Sequence, residues 1–250
     1  MNEERGTPKG KFRRSAFIVL TSALFLAGCA IPAIPSRIVY EDPVNFVRLE
    51  TDPSVLAELP ETLHSHPARL SPLEMTEILE GLLKQDRHNF LQVLVFGEPP
   101  PEAVFRPAEV ALLVPKLIDA LARARPDERV AFYLSRPQTS IKREITTGGL
   151  YVRGHELRFI VGNHRVIYGI PAYGLVYDRR YPTMPTAPKI FALAFAQSGA
   201  VVPQEPSLVS RLLGTASDEL VIDLNKLRSR RTVADGAQPV VAVQRVASSQ

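Results

Sequence analysis

The run from Glu144 to Gly162 constrains the fold more than any other part of this 250-residue chain. Two apolar, β-branched segments, 144–152 and 156–162, flank Arg153-Gly154-His155. A glycine inside so short a connection predicts a hairpin, because tight turns demand backbone angles that glycine adopts at little cost. Leu157, Phe159 and Val161 alternate with Arg158 and Ile160, so one face of the second strand is the more buried. The chain is therefore built around antiparallel strand pairing.

The remaining elements follow from periodicity and punctuation. Residues 37–50 read as two strands broken at Asp42-Pro43, and 130–134, 189–196 and 219–224 as further strands. Phe90 to Phe96 is a buried-strand candidate. Ser71-Pro72-Leu73-Glu74 supplies a capping box with proline at the first helical position, which predicts a helix over 72–84. Val110, Leu113, Val114, Leu117, Ile118 and Leu121 repeat at helical spacing and predict a second helix over 107–124, kinked or broken at Pro115. The three prolines of 51–70 mark that span as irregular, and 165–188 reads as a long Tyr, Pro and Gly-rich loop. The expected class is α+β, with one mostly antiparallel sheet of about six to eight strands and two helices packed on it.

Upstream of these elements the chain changes character. Residues 1–14 are polar and end in Lys11, Phe12, Arg13 and Arg14, whereas 15–27 carry no charge. An apolar run this short does not span a bilayer, which needs about 20 helical residues; after a basic start it reads as a secretory signal peptide. Leu26-Ala27-Gly28-Cys29 resembles the lipobox of bacterial lipoproteins: a leucine, two small residues, then cysteine. Small side chains let a peptidase approach the backbone, and the thiolate is the nucleophile that takes up lipid. The resemblance implies cleavage between Gly28 and Cys29, a diacylglycerol on Cys29 and an N-acyl chain on its new amino group. No other cofactor is expected. Arg13-Arg14 partly resembles a twin-arginine export signal, but Ala16 and Phe17 stand where that pattern wants bulky apolar residues, so an ordinary basic n-region is favoured.

The expected organisation is a signal peptide over 1–28, a short proline-containing tether over 29–36, one globular domain over 37–227 and a disordered tail over 228–250. The seven residues after Cys29, 30–36, reach roughly 20 Å in polyproline-like form. In the Gram-negative lipoprotein family, aspartate after the lipidated cysteine favours inner-membrane retention. Ala30 stands there, so the expected location is the outer membrane, lipid-anchored on its periplasmic face; in a Gram-positive cell it is the cell membrane.

The net charge of +4 misrepresents the domain. Five basic and two acidic residues lie in 1–28, and five basic and one acidic residue lie in 226–250. The body between is mildly acidic, which argues against a nucleic-acid partner. Cys29 is the one cysteine, so no disulfide framework exists.

No catalytic signature is found. There is no nucleophile elbow, and Gly148-Gly149 lacks the ending of a phosphate loop; it reads as a bulge or a close backbone approach. Glu41-Asp42 precedes a turn and Glu74/Glu77 open a helix, where acids suit the dipole. His64-Ser65-His66 could chelate a transition metal if extended, but no further ligand sits at a recognisable spacing. Arginine and tyrosine are the types enriched at recognition hot spots, which makes Arg165, Tyr173, Tyr177, Arg179 and Arg180 the candidate recognition surface. The expected function is a non-catalytic binding, structural or assembly factor with an envelope protein or glycan partner. The alternative is an envelope enzyme or metal-binding protein using the His64/His66 region.

Overall fold

Turn chemistry and alternation set the order of elements in the computed structural model, which describes residues 34–56, 58–86, 97, 99–169, 179–187, 189, 191–204 and 219–236. Strand β1 (Ser36–Glu41) returns as β2 (Phe46–Thr51) because the Asp42 carboxylate accepts from the backbone N–H groups of Val44 and Asn45 and closes the turn. Helix α1 (Pro72–Gly81) starts at the expected capping box: Ser71 Oγ accepts from the Glu74 N–H, and the Glu74 carboxylate accepts from the Ser71 N–H. Strands β3 (Leu82–Asp86) and β4 (Glu102–Ala103) precede helix α2 (Pro107–Arg123). Strands β5 (Glu128–Pro137), β6 (Lys142–Arg153) and β7 (Glu156–Gly169) form a meander. Strands β8 (Phe191–Phe195) and β9 (Glu219–Asp223) and helix α3 (Leu224–Gly236) complete the described elements.

The fold is α+β. Six strands form an antiparallel sheet in the order β1-β2-β5-β6-β7-β9, and β4-β3-β8 form a second antiparallel sheet. The division into two sheets and the third helix depart from the sequence expectation. The first helix ends at Gly81 instead of residue 84, and Leu82 opens β3. A Cβ on Gly81 would stand 2.4 Å from the Phe195 ring, so glycine here lets β8 close against the helix end. Strand β7 runs on to Gly169, so Arg165–Gly169 is strand, not loop. Helix α3 continues to Gly236, into residues read above as tail. The lipobox, the 90–96 strand candidate, Tyr173 and Tyr177 lie outside the described residues.

The hairpin turn is Gly154-His155, with Arg153 paired to Glu156 and Gly154 at φ +61°. Farther from the turn, register shifts between Ile145 and Thr147 and between Thr147 and Gly148 give β7 two extra residues against β6. Arg165, beside them, takes a φ of +50°, a left-handed conformation uncommon for a residue with a Cβ.

One face of the large sheet is the hydrophobic core. Val47, Leu49, Val130, Phe132, Leu150, Leu157, Phe159 and Ile222 lie in one buried cluster with Met75, Ile78 and Leu79 of α1 and Leu113, Leu117 and Leu121 of α2. Each such side chain contributes about 1.5–3 kcal/mol on burial. Pro115 does not end α2, and it is exposed: its missing hydrogen bond falls on the water side, where the freed carbonyl of the exposed Ala111 is solvated. Where β2 stops, β5 is left with a bare edge, and this edge is blunted: Asn45 Oδ1 accepts from the Ser135 N–H at 3.1 Å, and Pro137 has no N–H to offer. Among the described residues, no helix is long and apolar enough to cross a membrane.

Candidate functional site

The other face of the large sheet carries the site. Alternation sends Phe46, Arg48 and Glu50 of β2 away from the helices, together with their partners Tyr133, Ala131 and Arg129 on β5. Gly149 and Gly162 lie on this face, and across it runs a strap, residues 179–187. A Cβ on Gly162 would stand 2.5 Å from the Pro182 carbonyl oxygen, and one on Gly149 2.9 Å from the Thr183 methyl. Glycine at both positions lets the strap lie on the sheet backbone.

The sheet's polar side chains hold the strap down. Arg48 donates to the carbonyl of Arg180 at 2.5 Å and to that of Arg179 at 3.3 Å. Thr147 donates to the Pro182 carbonyl at 2.6 Å, and Arg129 to Thr183 Oγ1 at 2.9 Å. Asn163 donates to the Met184 carbonyl and accepts from the Thr186 N–H. Behind them, Glu50 is fully buried and accepts from Arg48 Nε at 2.7 Å, with Arg129 3.5 Å away. A buried carboxylate is stable only with such partners.

This clamp fixes Arg179 over an aromatic floor. Phe46 and Tyr133, directly opposite across the two strands, stack with centroids 5.2 Å apart. The Arg179 guanidinium lies 4.8 Å from the Tyr133 centroid and 5.6 Å from that of Phe46, and Arg48 lies 4.6 Å above Phe46. Two clefts meet at Arg179. One, of about 290 Å³, is lined by Ser36, Ile38, Glu41, Phe46, Arg48 and Arg180 besides Arg179. The other, of about 180 Å³, is lined by Pro43, Val44, Tyr133, Ser135, Arg143 and Tyr168 besides Arg179. Tyr133 and Tyr168 hydroxyls are 3.2 Å apart on its wall. Burial, with Tyr168 next in effect, pushes the Tyr133 phenol up to about 12, so it stays a protonated donor at neutral pH. Among the described residues, neither Arg143 nor Arg179 has a carboxylate partner.

Of the residues expected to form a recognition surface, Arg179 and Arg180 come together here. Arg165 is elsewhere: its guanidinium pairs with Glu102 and reaches the Ala103 carbonyl of the small sheet. Tyr181, from the tyrosine-rich run, is buried. Sequence reasoning missed Phe46, Arg48, Tyr133 and Arg143, which come from three different strands.

The histidine pair serves the fold. His64 and His66 are both buried, not solvated. His64 Nε2 donates to Asp52 at 2.9 Å, and its ring packs 4.1 Å from that of Tyr151. His66 Nε2 accepts from the Val152 N–H at 3.4 Å. Burial, reinforced by His64, pushes His66 down to about 4, so it is neutral at pH 7. For Asp52, burial opposes ionisation, but donors from His64 and Ser54 and the charge of Arg129 outweigh it and hold the carboxyl well below its usual range. Among the described residues, no three His, Cys, Asp or Glu gather as metal ligands. Of the other acids, Asp42 closes the β1–β2 turn and Glu74 pairs with Arg228. A comparison with protein-family models, curated proteins and solved structures finds no match to this chain.

Proposed function

We propose that the chain is a lipid-anchored protein of the cell envelope that acts by binding, and that the face around Arg179 is its contact surface. The observation that carries the second part is a pair of guanidiniums, Arg143 and Arg179, without carboxylate partners among the described residues, beside an aromatic floor. Arginine over aromatic rings is the composition of recognition hot spots. The anchor rests on Leu26-Ala27-Gly28-Cys29 and its flanks, with Ala30 pointing to the outer membrane, periplasmic face, of a Gram-negative cell. The partner is an envelope component, protein or glycan, and the role is structural or in assembly.

Two measurements test this. Mass spectrometry of the purified protein should find Cys29 at the mature N-terminus with two or three acyl chains, and sucrose-gradient fractionation should place it with outer-membrane markers. An unprocessed, unacylated chain removes the anchor. A photo-crosslinker at Ile38, which lines the larger cleft, should give adducts in the native envelope; one at Leu73 on α1, equally exposed, should give none. Equal adducts at both sites would refute the contact surface.

A further inference from the structure

The geometry points to the smaller cleft, between Arg143 and Arg179, as a site for a phosphate group. This deepens the reading of the Arg179 face as the contact surface and rests on it. The cleft is built from parts that the register brings together: Arg143 lies opposite Tyr168, and Tyr133 lies one strand over. Two full positive charges line it and, among the described residues, no carboxylate does. Arg143 is half-buried and Arg179 exposed, and neither has a carboxylate partner among the described residues, so an anion that enters the cleft meets two guanidinium charges.

The donor count selects the anion. Each guanidinium presents a rigid fork of N–H donors, and the Tyr133–Tyr168 hydroxyl pair adds O–H chemistry at the wall. A carboxylate has two oxygens and one charge, fewer than two forks can use. A phosphate has three or more peripheral oxygens and up to two charges, which matches both. The apolar rim of Pro43 and Val44 suits the carbon chain of an ester, and about 180 Å³ admits one such group. The backbone at Arg179 is held, because Arg48 grips its carbonyl and that of Arg180 while Glu50 orients Arg48, and the guanidinium stacks on Tyr133. Part of the ordering cost of binding is thus met in the fold.

Position argues for a phosphate at the membrane. Ser36 lines the adjoining cleft and stands seven residues after Cys29, so an extended chain holds it within about 25 Å of a lipidated Cys29. Phospholipid headgroups and soluble phosphate compounds share the recognised chemistry, and the test separates them.

The full-length protein in phosphate-free nonionic detergent is titrated with inorganic phosphate by calorimetry. Binding should be saturable, and at least tenfold weaker in Arg143→Gln and in Arg179→Gln. Arg125→Gln, exposed on the connection between α2 and β5 and outside both clefts, should stay within twofold of the wild type, and far-UV circular dichroism should show all three variants folded. Flotation with phosphatidylglycerol and phosphatidylcholine vesicles follows, with Cys29→Ser removing the anchor. If Arg143→Gln weakens flotation of that variant, the phosphate is a headgroup; if only the calorimetric signal falls, it is soluble. Absence of phosphate binding, equal competition by acetate, or binding unchanged in both arginine variants would overturn the assignment. Such a failure leaves the Ile38 crosslinks intact, whereas failure of the contact surface removes them too.

Discussion

Gly162→Ala should lift the strap off the sheet. The new methyl would stand 2.5 Å from the Pro182 oxygen, 2.9 Å from the Thr183 carbonyl carbon and 3.0 Å from its oxygen. These are backbone atoms, so no side-chain rotation relieves the contact, and the strap must retreat by roughly 1 Å to reach ordinary van der Waals separation. Two hydrogen bonds lie at that point, Thr147 to the Pro182 carbonyl and Arg129 to Thr183. A bond of this kind contributes about 1 kcal/mol net, but the Thr147 hydroxyl is fully buried and its loss as a satisfied donor costs about 1–3 kcal/mol. The expected penalty is therefore about 2–4 kcal/mol. It is bounded above by the free energy of opening the strap, because beyond that the strap detaches and the sheet stays folded. Urea denaturation of the full-length chain gives the global loss, and hydrogen exchange over 179–187 gives the local one. A variant with less than about 0.5 kcal/mol of change and wild-type exchange in the strap would refute the close-approach argument.

Other outcomes follow from the buried polar groups and from α2. His66 is held near 4, below the 6.5 of an exposed histidine, so the unfolded chain takes the proton first; the stability it contributes is complete above pH 6.5 and falls by about 3 kcal/mol on acidification to pH 4, a loss His66→Gln should remove in parallel denaturation curves. Asp52→Asn leaves His64 and Arg129 without their shared carboxylate and should cost about 3–5 kcal/mol by the same assay. Pro115→Ala restores a hydrogen bond on the exposed side of α2 and should stabilise the protein by about 1–3 kcal/mol; a lower midpoint would mean that the proline has a packing role.

The fold was legible where local chemistry is decisive. The Gly154 turn, the Ser71–Glu74 capping box and the apolar stripe of α2 announce themselves within a few residues. Strand β3 was hidden because Leu82 and Leu83 continue the apolar spacing of α1, and Leu82 is buried as a helical core residue would be. The reason to stop at Gly81 lies more than a hundred residues away, in the Phe195 ring. The site was legible only in its strap. Counting back from the turn at strict register sets Val166 opposite Arg143, but the two irregularities in the hairpin shift the partner to Tyr168. No local pattern reports those shifts, and none reports that Phe46 meets Tyr133 across a gap that spans two helices.

The way the sheet grips the strap has a consequence for how such a surface can change. Arg48, Thr147 and Asn163 take hold of carbonyls, at residues 179, 180, 182 and 184, and a carbonyl is the same whatever side chain the residue bears. Thr183 and Thr186 also lend their hydroxyls. The strap thus behaves as a cassette: Arg179 and Met184 can be exchanged without losing these backbone hydrogen bonds, and what the surface recognises can be rewritten independently of them.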